Sequence, residues 1–226
     1  VQPIKRVSAP RPLRVTRESP TAYLTQSGIL QQTNGERQKH GLKALTLNAH
    51  LNAAAAAKVK DMFEKRYFEH ISPSGVGPDK RAEQAGYAFL AIGENLAMGN
   101  FENDRSLVKA WVESPGHREN ILNRSYTEIG IAVLRGVFEG QTTWIAVQEF
   151  GRPLSACTQP NKMLQAKIAS DKALIAERNA QANALNANRS EYFALVTSIN
   201  MLIQQLQGEV TVYNGEVQAF NACVRR

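Results

Sequence analysis

The sequence predicts an α+β domain followed by an all-α helical hairpin, and three observations carry that prediction. Thr127 to Val133 and Thr143 to Phe150 are rich in β-branched and aromatic residues, and a short connection flanked by Gly136 and Gly140 separates them, so they read as antiparallel partners. Apolar residues at helical spacing precede them. From Cys157 to Cys223 strand signals almost vanish, and alanine, glutamine and asparagine take over. Helices around an antiparallel core argue against a doubly wound parallel sheet. The expected organisation is a basic linker over residues 1–22, an α+β domain over 23–154 and a helical hairpin over 155–226.

The N-terminal arm comes first. Of the formal charge of +7, Lys5, Arg6, Arg11, Arg14 and Arg17 supply five with no acid before Glu18, which leaves 7 − 5 = +2 for the rest. The basic excess is therefore local, and no nucleic-acid partner is expected. Pro3, Pro10, Pro12 and Pro20 interrupt the same stretch, so it reads as an extended, solvated tether whose removal costs little stability, with an arm that docks on anionic lipid or polymer as the alternative. The sequence opens at Val1 without a signal peptide, which reads as a processed or truncated form, and no apolar run reaches membrane-spanning length.

From Tyr23 the pattern turns helical through Leu24, Ile29 and Leu30 and stops at Gly41. Asn48 caps a clearer helix in which Leu51, Ala54, Ala55, Val59, Met62 and Phe63 recur at helical spacing, with alanines that permit a close approach to a sheet. His40 and His50 sit at helix ends and read as surface or capping residues. Ser72 to Pro78 is a loop, Asp79 to Ala85 a short helix ending at Gly86, and Ile92 to Gly99 a short apolar stretch bounded by glycines with Glu94 inside it. A helix from Asp104 to Glu113 follows, with Leu107, Val108 and Trp111 inward.

At Ser114-Pro115-Gly116-His117 a new helix begins. Ser114 reads as its N-cap, able to hold a free backbone donor, and Pro115 as its first residue. His117 then falls in the first turn, where the positive end of the helix dipole favours a neutral imidazole. His70 lies where an apolar helical pattern breaks into turn residues. On the residues alone, His70 can be a helix-end cap and Glu94 a carboxylate held by backbone donors. Two imidazoles with one or two carboxylates are also the ligand set of an open zinc site, or a metal-free acid and base pair.

Several motifs in order resemble one family. Phe68-Glu69-His70-Ile71-Ser72-Pro73, Gly93-Glu94-Asn95-Leu96-Ala97, Trp111 with Ser114-Pro115-Gly116-His117-Arg118-Glu119-Asn120-Ile121-Leu122, Tyr126 to Val133 and Trp144 to Gly151 are similar to the CAP superfamily of cysteine-rich secretory, antigen 5 and pathogenesis-related 1 proteins, in its bacterial SCP-like branch. The resemblance covers roughly Tyr23 to Pro153. It implies a three-layer α-β-α sandwich with a cleft across the sheet, and it carries His70, Glu94 and His117 onto a cavity of two histidines and two glutamates. Glu113 is the fourth member on this reading, with Glu119 and Glu128 as neighbouring competitors, and Gln148 can add a polar contact. A divalent metal, zinc first, is then expected on His70, His117 and Glu94. No nucleophile elbow, H-E-x-x-H pair, phosphate loop or dinucleotide fingerprint is present.

The resemblance implies a secreted or surface-tethered binding module whose cavity takes a metal or a small lipid-like ligand. The alternative is a metal-dependent hydrolase acting on peptide or envelope polymer. It says nothing about the C-terminal extension. There Leu195, Ile199, Leu202 and Leu206 follow coiled-coil-like spacing, Asn188-Arg189-Ser190-Glu191 reads as a capping box between two helices, and a protein partner could use those helices. Two cysteines are as often free thiols as a bridge. Cys157 and Cys223, however, are each 33 residues from position 190, so an antiparallel hairpin brings them together at its open end. A disulfide there places the protein in an extracellular, periplasmic or cell-surface setting.

Overall fold

The computed structural model describes residues 5–15, 18–185 and 189–225 and divides into two compact units, Val1–Ala156 and Cys157–Arg226. The first unit is built on one sheet. Its strands are β1 (Arg6–Ser8), β2 (Leu13–Arg14), β3 (Thr46–Leu47), β4 (Phe89–Met98), β5 (Glu128–Phe138) and β6 (Gln141–Pro153), arranged β1-β4-β6-β5-β3 with β2 also on β4. β4, β6 and β5 are antiparallel neighbours, and the short flanking strands pair in parallel. The expected α+β class holds.

The layers follow from the alternation along β6. Ile145 and Val147 belong to a buried cluster with Ala55, Val59 and Met62 of helix α2 (Ala49–Lys65). Ala146 and Phe150 face the opposite way, into a cluster with Ile29 of α1 (Gln26–Lys39), Leu107 and Trp111 of α4 (Asp104–Glu113) and Ile121 of α5 (Pro115–Ile121). Both faces of the sheet are therefore covered by helices. α2 comes close enough that a Cβ on Gly130 of β5 would lie 2.1 Å from the carbonyl carbon of Leu51, which explains the glycine there. Asn48 caps α2 as expected, its side chain accepting from His50 and Leu51.

Three expectations are corrected. The connection between the β5 and β6 hydrophobic runs is not a loop bounded by Gly136 and Gly140. Both strands continue to Phe138 and Gln141, and a two-residue turn of Glu139 and Gly140, with φ of 51° and 82°, joins them, as the twist of a tight hairpin requires. Ile92–Met98 is part of a ten-residue central strand, buried along its whole length, so it shows no alternation to read.

The third correction concerns the arm. Residues 6–8 and 13–14 are strands docked on the outer edge of β4, so the segment is not a free tether. Backbone pairing holds it, which needs no side-chain periodicity, and Leu13 and Val15 pack against the α1-side cluster. Ser8 faces Gly93 and Leu13 faces Ala97, so the arm takes five steps where β4 takes four. The extra residue is a bulge at Pro10-Arg11-Pro12, where proline cannot donate to the ladder.

The second unit is an antiparallel pair of helices, α6 (Lys162–Ala184) and α7 (Arg189–Arg225). Asn161 N donates to Glu216, Lys167 pairs with Glu209, and Arg178 donates to Ser198, so contacts advance along α6 as they retreat along α7. Cys157 and Cys223 are disulfide-bonded at the open end, as the spacing predicted. The proposed cap Asn188 lies outside the described residues. Among the described residues no helix is long and apolar enough to cross a membrane.

Candidate functional site

Glu94 and Glu149 are direct partners across the β4–β6 ladder. Period-two alternation puts Glu149 on the same face as Ile145 and Val147, under α2, and both carboxyls are fully buried. Burial first, and then the neighbouring charge of Glu94 and a hydrogen bond with it, raise Glu149 well above the usual carboxylate range and favour its protonated form. Among the described residues, no donor from any other side chain reaches Glu94 Oε2 or either oxygen of Glu149.

His70 closes the other side of Glu94. Its Nδ1 lies 2.5 Å from Glu94 Oε1, and its Nε2 donates to the carbonyl of Pro10 at 2.5 Å. Since a carbonyl only accepts, Nε2 carries a hydrogen, and one proton is held between Nδ1 and Glu94. Lys58 anchors the segment that carries His70. Fully buried on α2, its ammonium donates to the carbonyls of Glu69 at 2.5 Å and His70 at 2.7 Å, while burial lowers its pKa. Arg81, on α3 (Pro78–Gln84), and Asp61 form a neighbouring ion pair at 3.0 Å.

His117 enters from α5. Ser114 caps that helix with its backbone alone, because its hydroxyl is turned to His117 Nδ1 at 2.8 Å. The expected side-chain cap is thus replaced by an orienting contact on the imidazole. His117 Nε2 is buried and, among the described residues, has no hydrogen-bond partner. Burial first, and then the positive charge of His70, lowers its pKa to about 4, against the weaker opposing effect of the Leu96 carbonyl. The neutral ring expected from its helical position is what burial enforces.

His70 and Glu94 are in direct contact, His117 is near enough to feel the charge of His70, and Glu113 lies apart from them. It lies two residues beyond the inward Trp111, on the far side of α4, where its exposed carboxylate pairs with Lys109 at 3.2 Å. Glu128 instead accepts from Tyr87 at 2.6 Å, and burial of the phenol, followed by this hydrogen bond and the Glu128 charge, pushes its pKa up. Gln148 faces α1, donating to Thr33 and accepting from Asn95, so its contacts are structural. His40 caps α1 and His50 bonds the Ala85 carbonyl, both at the surface as expected.

The metal expectation does not fit this arrangement. Among the described residues no group of three or more His, Cys, Asp or Glu side chains is placed to hold an ion. Both nitrogens of His70 are engaged, which leaves His117 Nε2 as the open imidazole donor of the site.

Lys58 and Glu149 were missed by sequence reasoning, although both carried a signal. Lys58 falls on the stripe Leu51, Ala55, Met62, and Glu149 continues Ile145, Val147, so each is a charge at a position that helical or strand periodicity assigns to the core. The contact from Pro10 had no such signal.

A family model described as "Cysteine-rich secretory protein family" (CAP) matches residues 30–150. The Bacillus subtilis uncharacterized protein YkwD is 40% identical over 116 residues, 51% of this chain and 43% of YkwD. The uncharacterized membrane protein YlbC of the same organism is 36% identical over 107 residues, 47% of this chain and 31% of YlbC. The chain thus spans less than half the length of either relative. Among solved structures, an extracellular SCP-domain protein of Bacillus anthracis aligns at 29% identity with a TM-score of 0.48, covering 56% of this chain and 39% of that one. An outer surface protein of Borrelia burgdorferi aligns at 24% identity and a TM-score of 0.48, covering 57% of this chain and 95% of that one.

Proposed function

The chain belongs to the cysteine-rich secretory protein (CAP) family, and on that premise we propose that residues 23–154 form a binding module whose ligand is received at the His70–Glu94–His117 cavity. The observation that supports it is a set of buried polar atoms serving no structural bond. Among the described residues His117 Nε2 has no hydrogen-bond partner, Glu94 Oε2 and both oxygens of Glu149 have none outside the carboxyl pair, and the two carboxyls lie under a helix face that otherwise packs aliphatic side chains. A fold selected for stability alone would place apolar residues there, since buried ionisable groups cost more than they return unless fully satisfied. Buried carboxyl and imidazole groups of this kind suit a polar ligand group able to donate or accept hydrogen bonds.

The Cys157–Cys223 bond supports a setting outside the cytoplasm, because such a bond persists where thiols are not continually reduced. Replacing Glu149 by the similarly shaped, apolar methionine tests the reading. If the carboxyl is kept for a ligand, Glu149→Met raises the melting temperature or leaves it unchanged. A fall equivalent to more than about 2 kcal/mol would make Glu149 a structural residue and remove the support.

A further inference from the structure

We propose that the outer edge of β4 is a groove for an extended, basic, proline-interrupted segment of a partner polypeptide, and that residues 5–15 are the resident copy that keeps it closed. This rests on the binding-module reading and names its ligand class. The arm is held as an added strand would be, by parallel backbone pairing on either side of His70 and Glu94. Between the two paired stretches the bulge at Pro10 delivers a main-chain carbonyl to His70 Nε2. A carbonyl at that place belongs to any polypeptide, so His70 reads backbone, and the prolines spare β4 a donor at the point where the ladder opens.

The flanks define charge. Lys5 pairs with Glu83 and sits 4.9 Å from the Phe89 ring, and Arg14 stands 5.2 Å from the Phe68 ring, so basic residues are accepted at both ends. The arm does not fill the space it covers. A pocket of about 740 Å³ lies between Val7, Ala9, His70, Ile71 and Lys80, and another of about 690 Å³ between Leu13, Val15, Phe101, Glu113 and Ser114. A partner with larger side chains where the arm has Val7, Ala9 and Leu13 fills volume that the resident segment leaves open, which is what favours a foreign occupant. Among the described residues the arm's ladder is only five residue pairs long, and Val7 is half exposed, so exchange requires no rearrangement of the core.

The test uses the full chain and two fluorescein-labelled peptides read by anisotropy, one with the sequence of Lys5 to Val15 and one also carrying Val7→Leu and Ala9→Leu. The second binds more tightly than the first if the groove favours a foreign occupant, and no more tightly if it is shaped for the resident segment alone. The double variant Leu13→Asp, Val15→Asp undocks the arm by removing its apolar contacts. Faster amide exchange at Val7 and Ser8 verifies the release. The undocked chain binds the first peptide at least about tenfold more tightly than the parent, whose tethered arm competes at high effective concentration. Adding His70→Ala to the undocked chain weakens binding again. Should the double variant fail to fold, Gly116→Ala gives the same test, because a Cβ there meets Pro10 at 2.6 Å. Absence of binding by a folded, undocked chain overturns the proposal, as does equal binding of a peptide with the same residues in scrambled order. A cavity built for some other ligand would still show the Glu149→Met result while leaving the peptide unbound, so the two readings fail separately.

Discussion

Acid should weaken the first unit through His117. The folded ring titrates at about 4 rather than near its ordinary value of 6.5 because burial and the charge of His70 oppose its protonation. The unfolded chain therefore takes up this proton first as pH falls. Stability from the neutral ring is complete above about pH 6.5, declines between 6.5 and 4, and changes no further below. A shift of that size corresponds to roughly 3 kcal/mol in full, of which about 2.5 kcal/mol is gone by pH 4.5. Urea unfolding followed by tryptophan fluorescence isolates the effect, since Trp111 and Trp144 both lie in the first unit. His117→Gln, which cannot protonate, should lose about 2.5 kcal/mol less than the parent between pH 7.5 and 4.5. Parallel pH profiles for the two proteins, or a His117 ring proton that titrates near 6.5 by NMR, would refute the reasoning.

Two further outcomes follow from packing and covalent structure. Under non-reducing conditions the intact mass should be two hydrogens below the reduced chain, and replacing Cys157 and Cys223 by serine should destabilise the helical unit by about 4 kcal/mol, given the separation of 66 residues, with tryptophan-monitored unfolding unchanged. Gly130→Ala should destabilise the first unit by about 3 kcal/mol, because its Cβ would overlap the Leu51 backbone; a thermal shift below two degrees would show that α2 is free to move away.

How much of this could be read from the sequence depends on how each part is held. α2 and the β5–β6 pair bury one face or stripe each, so their period appears in the residues. The pairing of Cys157 with Cys223 was legible from distance along the chain, because a hairpin converts equal spacing into proximity. β4 is covered on both sides, so Ile92 to Gly99 shows no alternation and reads only as a short apolar stretch bounded by glycines. His70, Glu94 and His117 came from motif order, and of these His70 and Glu94 are in contact, whereas Glu113 shared the motif but its helical phase pointed it outward. The arm was the least legible part. Main-chain hydrogen bonds and one Pro10 carbonyl dock it independently of side chains, and the apolar contacts of Leu13 and Val15 that help to hold it are too few to show a helical or strand period.

Everything proposed for the cavity turns on whether the arm's carbonyl occupies His70. Long-range proton–nitrogen NMR on the full chain at neutral pH measures this directly. The structure predicts a His70 Nε2–H that exchanges slowly with water and shows nuclear Overhauser contacts to the Pro10–Arg11 segment. A His70 Nε2 in free exchange with solvent, without contacts to that segment, would contradict the closed groove and the function built on it.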